Sequence, residues 1–475
     1  MSANRDEAIG HFRSIVGDSQ VLVGDDVRSR PDNYTLQSPT AAMCIVRPKD
    51  AAEVSAVLSW CNARGINVVA HGGRTGLAGG TGTAPGDVVV SLERMTAIAP
   101  VDVAGGTVTV GAGATLQSVQ EAARAAGYFY PVDIGARGSA TIGGNISTNA
   151  GGNSVLRYGM TRQQVLGLEV VLADGRILSS LNRLVKNNAG YDLKQMFIGS
   201  EGTLGIVTRA VLRLQPEPGP TATAFVGLSS FDRVLRFLEV AAAAAGGALT
   251  SFEVMWSSFV EVIFSKAHHV LPTREQHPYY VLLDVAARNS VELLEAALVG
   301  GFEASLLSDA VVAQNTAQAE AFWAIRDDID ALAAGLKPVF PYDISMPQQN
   351  MEEYVSRLDA ALTARWPSAR TAVGGHVADS NIHVCVSTGS LADHAEVDAI
   401  VYGLLERYRD SVSAEHGIGT EKRAWLGVSR SDTELALMQE LKRLLDPNDI
   451  LNRGKVLAAP GDARGASALR PRGGR

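Results

Sequence analysis

Cysteine is scarce: Cys44, Cys61 and Cys385 are scattered through 475 residues, odd in number and without a C-x-x-C spacing. That excludes a disulfide framework and fits a reducing compartment, with each thiol packed. Basic residues are not in excess, since 42 Lys and Arg face 50 Asp and Glu for a net charge of −8, so nucleic acid is excluded as a partner. Long apolar runs are missing too. The most apolar stretch, VLRFLEVAAAAAGGAL at 234–249, carries Arg236 and Glu239 and is too short for a bilayer, so it reads as a buried amphipathic helix. The opening MSANRDEAIGHFRS has acidic residues where a secretory signal would be basic. A cytoplasmic protein is therefore expected, with peripheral attachment to the inner face of a membrane as the alternative. The stretch 458–475, rich in Gly, Pro and Arg, has little to bury and is expected to be a disordered tail.

Glycine is abundant instead, 48 of 475 residues, against a usual share of roughly 7%. It sits in blocks: GINVVAHGGRTGLAGGTG at 65–82, GARGSATIGGNISTNAGG at 135–152 and GSEGTLG at 199–205. The first block follows a strand-like run, Ile66 to Ala70, so its backbone N–H groups can face an anion at the end of a sheet. It has neither the Gly-x-Gly-x-x-Gly spacing nor a Gly-Lys-Ser/Thr ending, which excludes a Rossmann loop and a P-loop. Any one block alone is better read as tight turns. Three in order, separated by strand-like runs at 107–113 and 168–178, favour a phosphate cradle.

Histidine and glutamate supply the chemistry. GGHVADSNIH at 374–383 and SAEHGIG at 413–419 bring two His seven residues apart and a Glu-His pair into one chain. Imidazoles with one carboxylate suit a divalent ion such as zinc and leave a position open for substrate. A lone buried His is usually only hydrogen-bonded, but the polar residues Asp379 and Asn381 and the framing Gly374, Gly375, Gly417 and Gly419 favour a site. Glu415 and His416 can serve one site only if the backbone turns there, because neighbours on a strand point to opposite faces.

These segments, with GYDLKQMFIGSEGTLGIVT at 190–208 and DPNDILNRGKV at 446–456, resemble the FAD-linked oxidases that share the fold of vanillyl-alcohol oxidase and p-cresol methylhydroxylase. The resemblance runs from about Tyr34 to Val456 and is nearest the branch holding D-2-hydroxyglutarate dehydrogenase, cytochrome-linked D-lactate dehydrogenase and the D subunit of glycolate oxidase. It implies an α+β chain with a two-part FAD-binding domain, an α+β substrate domain and a C-terminal helical segment. It further implies that His71, Gly72, Gly73, Arg74, Thr75 and Gly76 hold the FAD pyrophosphate. Pro131, Gly138, Ser139, Thr141, Gly143, Gly144, Asn145 and Thr148 would line the flavin. Gly202 and Ile206 fall on the ribityl and adenine side, Asn452 falls near the isoalloxazine, and the FAD is non-covalent. His376, His383 and Glu415 would hold the metal, His416 would take the substrate proton, and Arg326 in FWAIRDDID would bind the substrate carboxylate. Without the resemblance, Arg326 reads as a surface ion pair with Asp327, Asp328 or Asp330.

The cluster LQPEPGP at 214–220 breaks the chain. Expected are an FAD-binding domain over 1–216, a substrate and metal domain over 221–420, and a helical segment over 421–457 that returns to the flavin domain. The implied activity is oxidation of a D-2-hydroxy acid, D-lactate-like, with electrons passed to an external quinone, cytochrome or electron-transfer flavoprotein, and a homodimer is compatible with it. Alternatives are D-2-hydroxyglutarate or D-malate oxidation, or a flavin subunit of a larger complex. An oxidase of the same fold acting on phenols or sugars would lack the His and Glu-His set. This chain departs from the D-2-hydroxyglutarate pattern at Pro341, where Lys is usual, at Cys385, where Asn is usual, and at Ser380, where Gly is usual. Fewer donors then remain for a second carboxylate, with Lys337 the nearby basic residue in sequence.

Overall fold

The computed structural model describes residues 2–32, 38–408 and 410–458, so the expected tail lies, from 459 on, outside the described residues. The chain forms two compact units. One holds the residues up to Gly152, Gly159–Glu217 and those from Glu415 on, and the other holds Asn153–Tyr158 and Pro218–Ala414.

These limits differ from the expected division at two places, each for a visible reason. Residues 415–420 go with the first unit because the Glu201 carboxylate accepts the N–H groups of Ile418 and Gly419. Residues 153–158 go with the second because Ser251 Oγ donates to the Asn153 carbonyl at 2.9 Å and Arg157 donates to the Ala286 carbonyl at 2.7 Å.

In the first unit, Cys44–Val46, Val88–Ser91 and Val68–His71 pair in parallel, and Val21–Leu22 adds antiparallel to Cys44–Val46. Their near-continuous Val and Ile content is what strands covered on both faces require. The helix Ala51–Arg64 starts at Asp50, whose side chain accepts from Glu53 N, and stops at Gly65 with φ 63°. It buries Val54, Val57, Leu58 and Cys61, a three-four spacing that puts one face on the core. A second antiparallel sheet runs in the order Thr107–Gly111, Ile206–Arg213, Val165–Val171, Ile177–Ser180. The run expected at 168–178 is thus two strands, turned at Gly175 with φ 89°.

The C-terminal stretch is helical only in part. Asp432–Leu445 is closed at its start by a Ser431/Glu434 capping box, and 446–457 is irregular. It nevertheless joins the parallel sheet: Val68 N donates to Ile450 O at 2.6 Å, and Asn452 N donates to Val68 O at 2.9 Å.

The second unit is a seven-stranded antiparallel sheet. Its spatial order is Asp309–Val312, Thr221–Leu228, Tyr279–Ala286, Leu249–Trp256, Arg370–Gly375, Asn381–Ser387, Phe340–Ser345. The apolar stretch 234–249 divides: the helix Phe231–Ala245 ends, Gly246 and Gly247 turn the chain, and Leu249 begins a strand. Residues 316–335 form two helices, Thr316–Asp327 and Ile329–Gly335. Asp328 leaves the helical region and caps the second through Ala331 N. Because directly opposed residues share a face, the register Met255↔Gly374↔His383↔Asp343 puts Glu253, Met255, His383, Cys385 and Asp343 on one face of the sheet.

Candidate active site

On that face the second unit gathers its polar chemistry. His376 follows directly on Arg370–Gly375, 5% exposed. Its ring lies 5.2 Å from the His383 ring at 84°. Glu253, 1% exposed, contacts His376 Nδ1 through Oε1 at 2.6 Å and accepts from Arg326 Nε through Oε2 at 3.0 Å. Arg326 Nη2 reaches His376 Nε2 at 3.1 Å. A guanidinium only donates, so Nε2 is the accepting nitrogen, and Nδ1 carries the proton it gives to Glu253.

That tautomer has a chemical consequence. A ring nitrogen whose opposite N–H is tied to a carboxylate is the usual form of a metal-binding His. His383 Nδ1 lies 3.7 Å from Oδ1 of the fully buried Asp343, beyond hydrogen-bond distance. Thus the chemistry of the donor set fits a divalent cation, provided the Arg326 Nη2–H that occupies His376 Nε2 in this structure gives way to it.

Electrostatics keep these groups charged. Burial alone would raise the Glu253 carboxyl, but the His376 ring and the Arg326 guanidinium beside it hold it down at about 2. Burial likewise opposes the charge on Arg326, and Glu253 and Asp327 outweigh it. Taking away one partner of such a buried set leaves an uncompensated charge, a loss on the order of 3–5 kcal/mol. The helix Thr316–Asp327 places Trp323 one turn before Arg326, and its indole N–H donates to Asp284 at 3.1 Å. Burial pushes Asp284 up to about 6 despite that bond and one from Thr223.

Arg326 therefore makes the expected pair with Asp327, at 3.0 Å, but its main partners are inward, and its side chain is 17% exposed. Glu253, Asp284 and Asp343 were not singled out by sequence reasoning. The available signal was a lone acid inside each of three apolar strands, SFEVMW, YYVLLDV and DISM. Cys385, two residues after His383, is 9% exposed and packs in a cluster with Met255, Phe259, Ile263 and Ala372. Burial pushes its thiol up to about 12. Pro341 stands opposite it, and both Pro341 and Lys337 are exposed.

Glu415 and His416 belong to the first unit, on an irregular bend where Gly417 and Gly419 have φ 80° and 51°. The turn required to use both side chains is present. Gly152 N donates to Glu415 Oε1 at 2.9 Å.

The first unit also builds the Gly-rich cradle. The loop after Val68–His71 lies against the start of the helix Ile142–Thr148, where a Cβ on Gly73 would overlap the Ser139 carbonyl and one on Gly72 the Thr141 hydroxyl. Thr141 caps that helix through Gly144 N, while Gly143 and Asn145 are buried in it and Pro131 is buried before it. Asn145 is 3% exposed and its Nδ2 has no partner among the described residues, a donor that a bound ligand would satisfy. Thr148 Oγ1 donates to Gly144 O at 3.1 Å. Gly138 and Ser139 are exposed, Thr75 and Gly76 follow in the open loop, and Gly202 and the buried Ile206 flank the start of Ile206–Arg213. Two expected contacts look elsewhere: the Arg74 guanidinium donates to Pro31 O at 3.0 Å, and His71 Nε2 bonds Thr81 O at 2.9 Å. Burial drives His71 down to about 3, so it is neutral. Asn452 accepts from Ala70 N at 3.4 Å and donates to Glu201 O at 2.5 Å. An open cradle walled by glycine with an unsatisfied amide beside it fits a flavin dinucleotide.

Among the described residues no helix is long and apolar enough to cross a membrane. Residues 42–180 match the FAD binding domain model, and residues 217–456 match that of the FAD linked oxidases, C-terminal domain. D-2-hydroxyglutarate dehydrogenase of Xanthomonas citri pv. viticola is 40% identical over 425 residues, covering 87% of this chain and 89% of that protein. The mitochondrial D-2-hydroxyglutarate dehydrogenase of Bos taurus is 36% identical over 419 residues, 87% of this chain and 76% of that one. In fold the chain is similar to p-cresol methylhydroxylase, with a TM-score of 0.76 at 17% identity over 97% of this chain and 98% of that one. Both matched domains and the relatives agree, and the chain belongs to the FAD-linked oxidase family of flavin-dependent oxidoreductases.

Proposed function

We propose that the protein oxidises a D-2-hydroxy acid with an uncharged side chain, D-lactate or a longer homologue, to the 2-oxo acid. The reading rests on one arrangement above all: Arg326 from the helix Thr316–Asp327 meets His376, whose ring lies against that of His383 on a sheet face that continues into the apolar surroundings of Cys385. Bound FAD supplies the hydride acceptor for the substrate α-carbon. A divalent cation, zinc by its donor set, would be held by His376, His383 and Glu415 and would lower the pKa of the substrate hydroxyl. His416 takes the hydroxyl proton on an imidazole nitrogen, Arg326 holds the carboxylate through the Nη–H groups not used by Asp327 and His376, and Glu253 fixes Arg326 and the His376 tautomer. The two electrons leave to an external acceptor, a quinone, a cytochrome or an electron-transfer flavoprotein.

A second reading, D-2-hydroxyglutarate as substrate, is favoured by what the relatives are called. Against it, Cys385 sits among apolar side chains and Pro341 offers no N–H, so a second carboxylate would lose donors at about 1–3 kcal/mol each. A dye-reduction panel of D- and L-2-hydroxy acids decides between them. The expected order is D-monoacids above D-2-hydroxyglutarate, with L-isomers poor and Arg326→Ala lowering all of them. A clear preference for D-2-hydroxyglutarate or D-malate would establish the second reading.

The cofactor makes a separate expectation. Purified protein should be yellow, and acid should release free FAD into the supernatant, since His71 Nε2 is engaged by Thr81 and the ring is 2% exposed. Colour retained in the precipitate would show a covalent link.

A further inference from the structure

Glu201 carries more structure than a loop residue of a Gly-Ser-Glu-Gly turn needs. Its side chain is buried, its residue 9% exposed, and its backbone sits at φ 52°, a left-handed conformation that costs a non-glycine residue roughly 1 kcal/mol or more. Four bonds hold it there. Glu201 N donates to Ser147 O at 2.8 Å, its own carbonyl accepts from Asn452 Nδ2, and its two carboxylate oxygens accept from Ile418 N at 2.7 Å and Gly419 N at 2.9 Å. Gly417 is pressed against the same carboxylate, where a Cβ would lie 2.8 Å from Oε1.

We infer that Glu201 is a positioning residue: its carboxylate clamps the backbone just after Glu415-His416 and so fixes where those two side chains stand. The inference rests on the proposed roles of Glu415 and His416. A carboxylate gripping two successive N–H groups sets the direction of that peptide more firmly than a single bond would. His416 is two residues upstream of the first clamped N–H, with only Gly417 at φ 80° between, so freedom at 418–419 passes straight to the imidazole. Burial raises the Glu201 carboxyl, while these two N–H groups and the charges of Lys422 and Lys455 pull it back. The strained backbone agrees with a residue held for its side chain, since Gly at this position would remove the strain and the clamp together.

Glu201→Gln and Glu201→Gly in the full-length, FAD-loaded protein test this. In Gln one acceptor becomes an NH2 that opposes a backbone N–H, and Gly has no acceptor at all. Hydrogen exchange over residues 414–421 reads the clamp directly and is expected to speed up in both variants. With FAD content, unfolding temperature and KM near wild type, kcat is expected to fall roughly 30-fold or more and metal affinity roughly 10-fold, as for other lost orienting contacts. Exchange as slow as wild type, or kcat within twofold of it, overturns the inference, and so does a kcat loss matched by an equal loss of FAD. If exchange speeds up but His416→Ala keeps full kcat, the fault lies in the role given to His416, and the positioning role falls with it.

Discussion

Glu253→Gln is expected to lower kcat/KM for every D-2-hydroxy acid by about 100-fold and to weaken metal binding by a similar factor. Glu253 spans two partners: Oε2 takes Arg326 Nε and Oε1 takes His376 Nδ1–H. A carboxamide has one acceptor. If its oxygen stays on Arg326, its NH2 faces His376 Nδ1 and forces that nitrogen to become the acceptor. The proton then moves to Nε2, where it points at Arg326 Nη2, and no lone pair is left there for a cation. Activity assays together with metal content measured on the purified variant check this. Normal metal content with a normal rate would show that the Glu253 contacts are structural only.

Chelation of the proposed metal is expected to give the second large effect. A chelator is expected to stop turnover by roughly 10³-fold, because a Lewis acid on the hydroxyl supplies several kcal/mol at about 1.4 kcal/mol per factor of ten. The flavin spectrum should stay intact, since the cradle residues from Gly72 to Asn145 and the pair His376 and His383 are different sets. Zinc or another divalent ion restores the rate of the wild type and not that of His376→Ala. The idea fails if chelated protein turns over at the untreated rate.

The electron path is untouched by these two experiments, and the substrate panel reads it only through the dye. Comparing quinone, cytochrome and flavoprotein acceptors with the preferred acid would identify the partner class.

Several features were legible in the sequence because they are local. Three Gly blocks after strand-like runs mark loops where backbone must come close to something, and Gly72 and Gly73 do lie against Ser139 and Thr141. The Pro-rich stretch 214–220 is a local breaker too, and Glu217 and Pro218 within it fall in different units. The spacing of His376 and His383 needs only a short loop and one strand to bring two rings within 5.2 Å. Where local reading failed, a competing local signal was missed: Gly246-Gly247 ended a helix that the apolar run suggested would go on.

What only the tertiary structure decided depends on sheet register and on contacts distant in sequence. Glu253 meets His376 across 123 residues and Arg326 across 73, and no pattern along a strand states which strand lies beside it. A lone acid in SFEVMW signals that something must neutralise it; only the order of seven antiparallel strands says what. In the same way Glu201 reaches Ile418 over 217 residues, and Asn452 reaches Ala70 over 382. Residue types and short spacings declare which chemistry a chain can perform, because donors, acceptors and turns are properties of the residues themselves. Which of them share a charge, a tautomer or a clamp is fixed by folding, because those depend on distances of a few ångströms between segments that the chain keeps hundreds of residues apart.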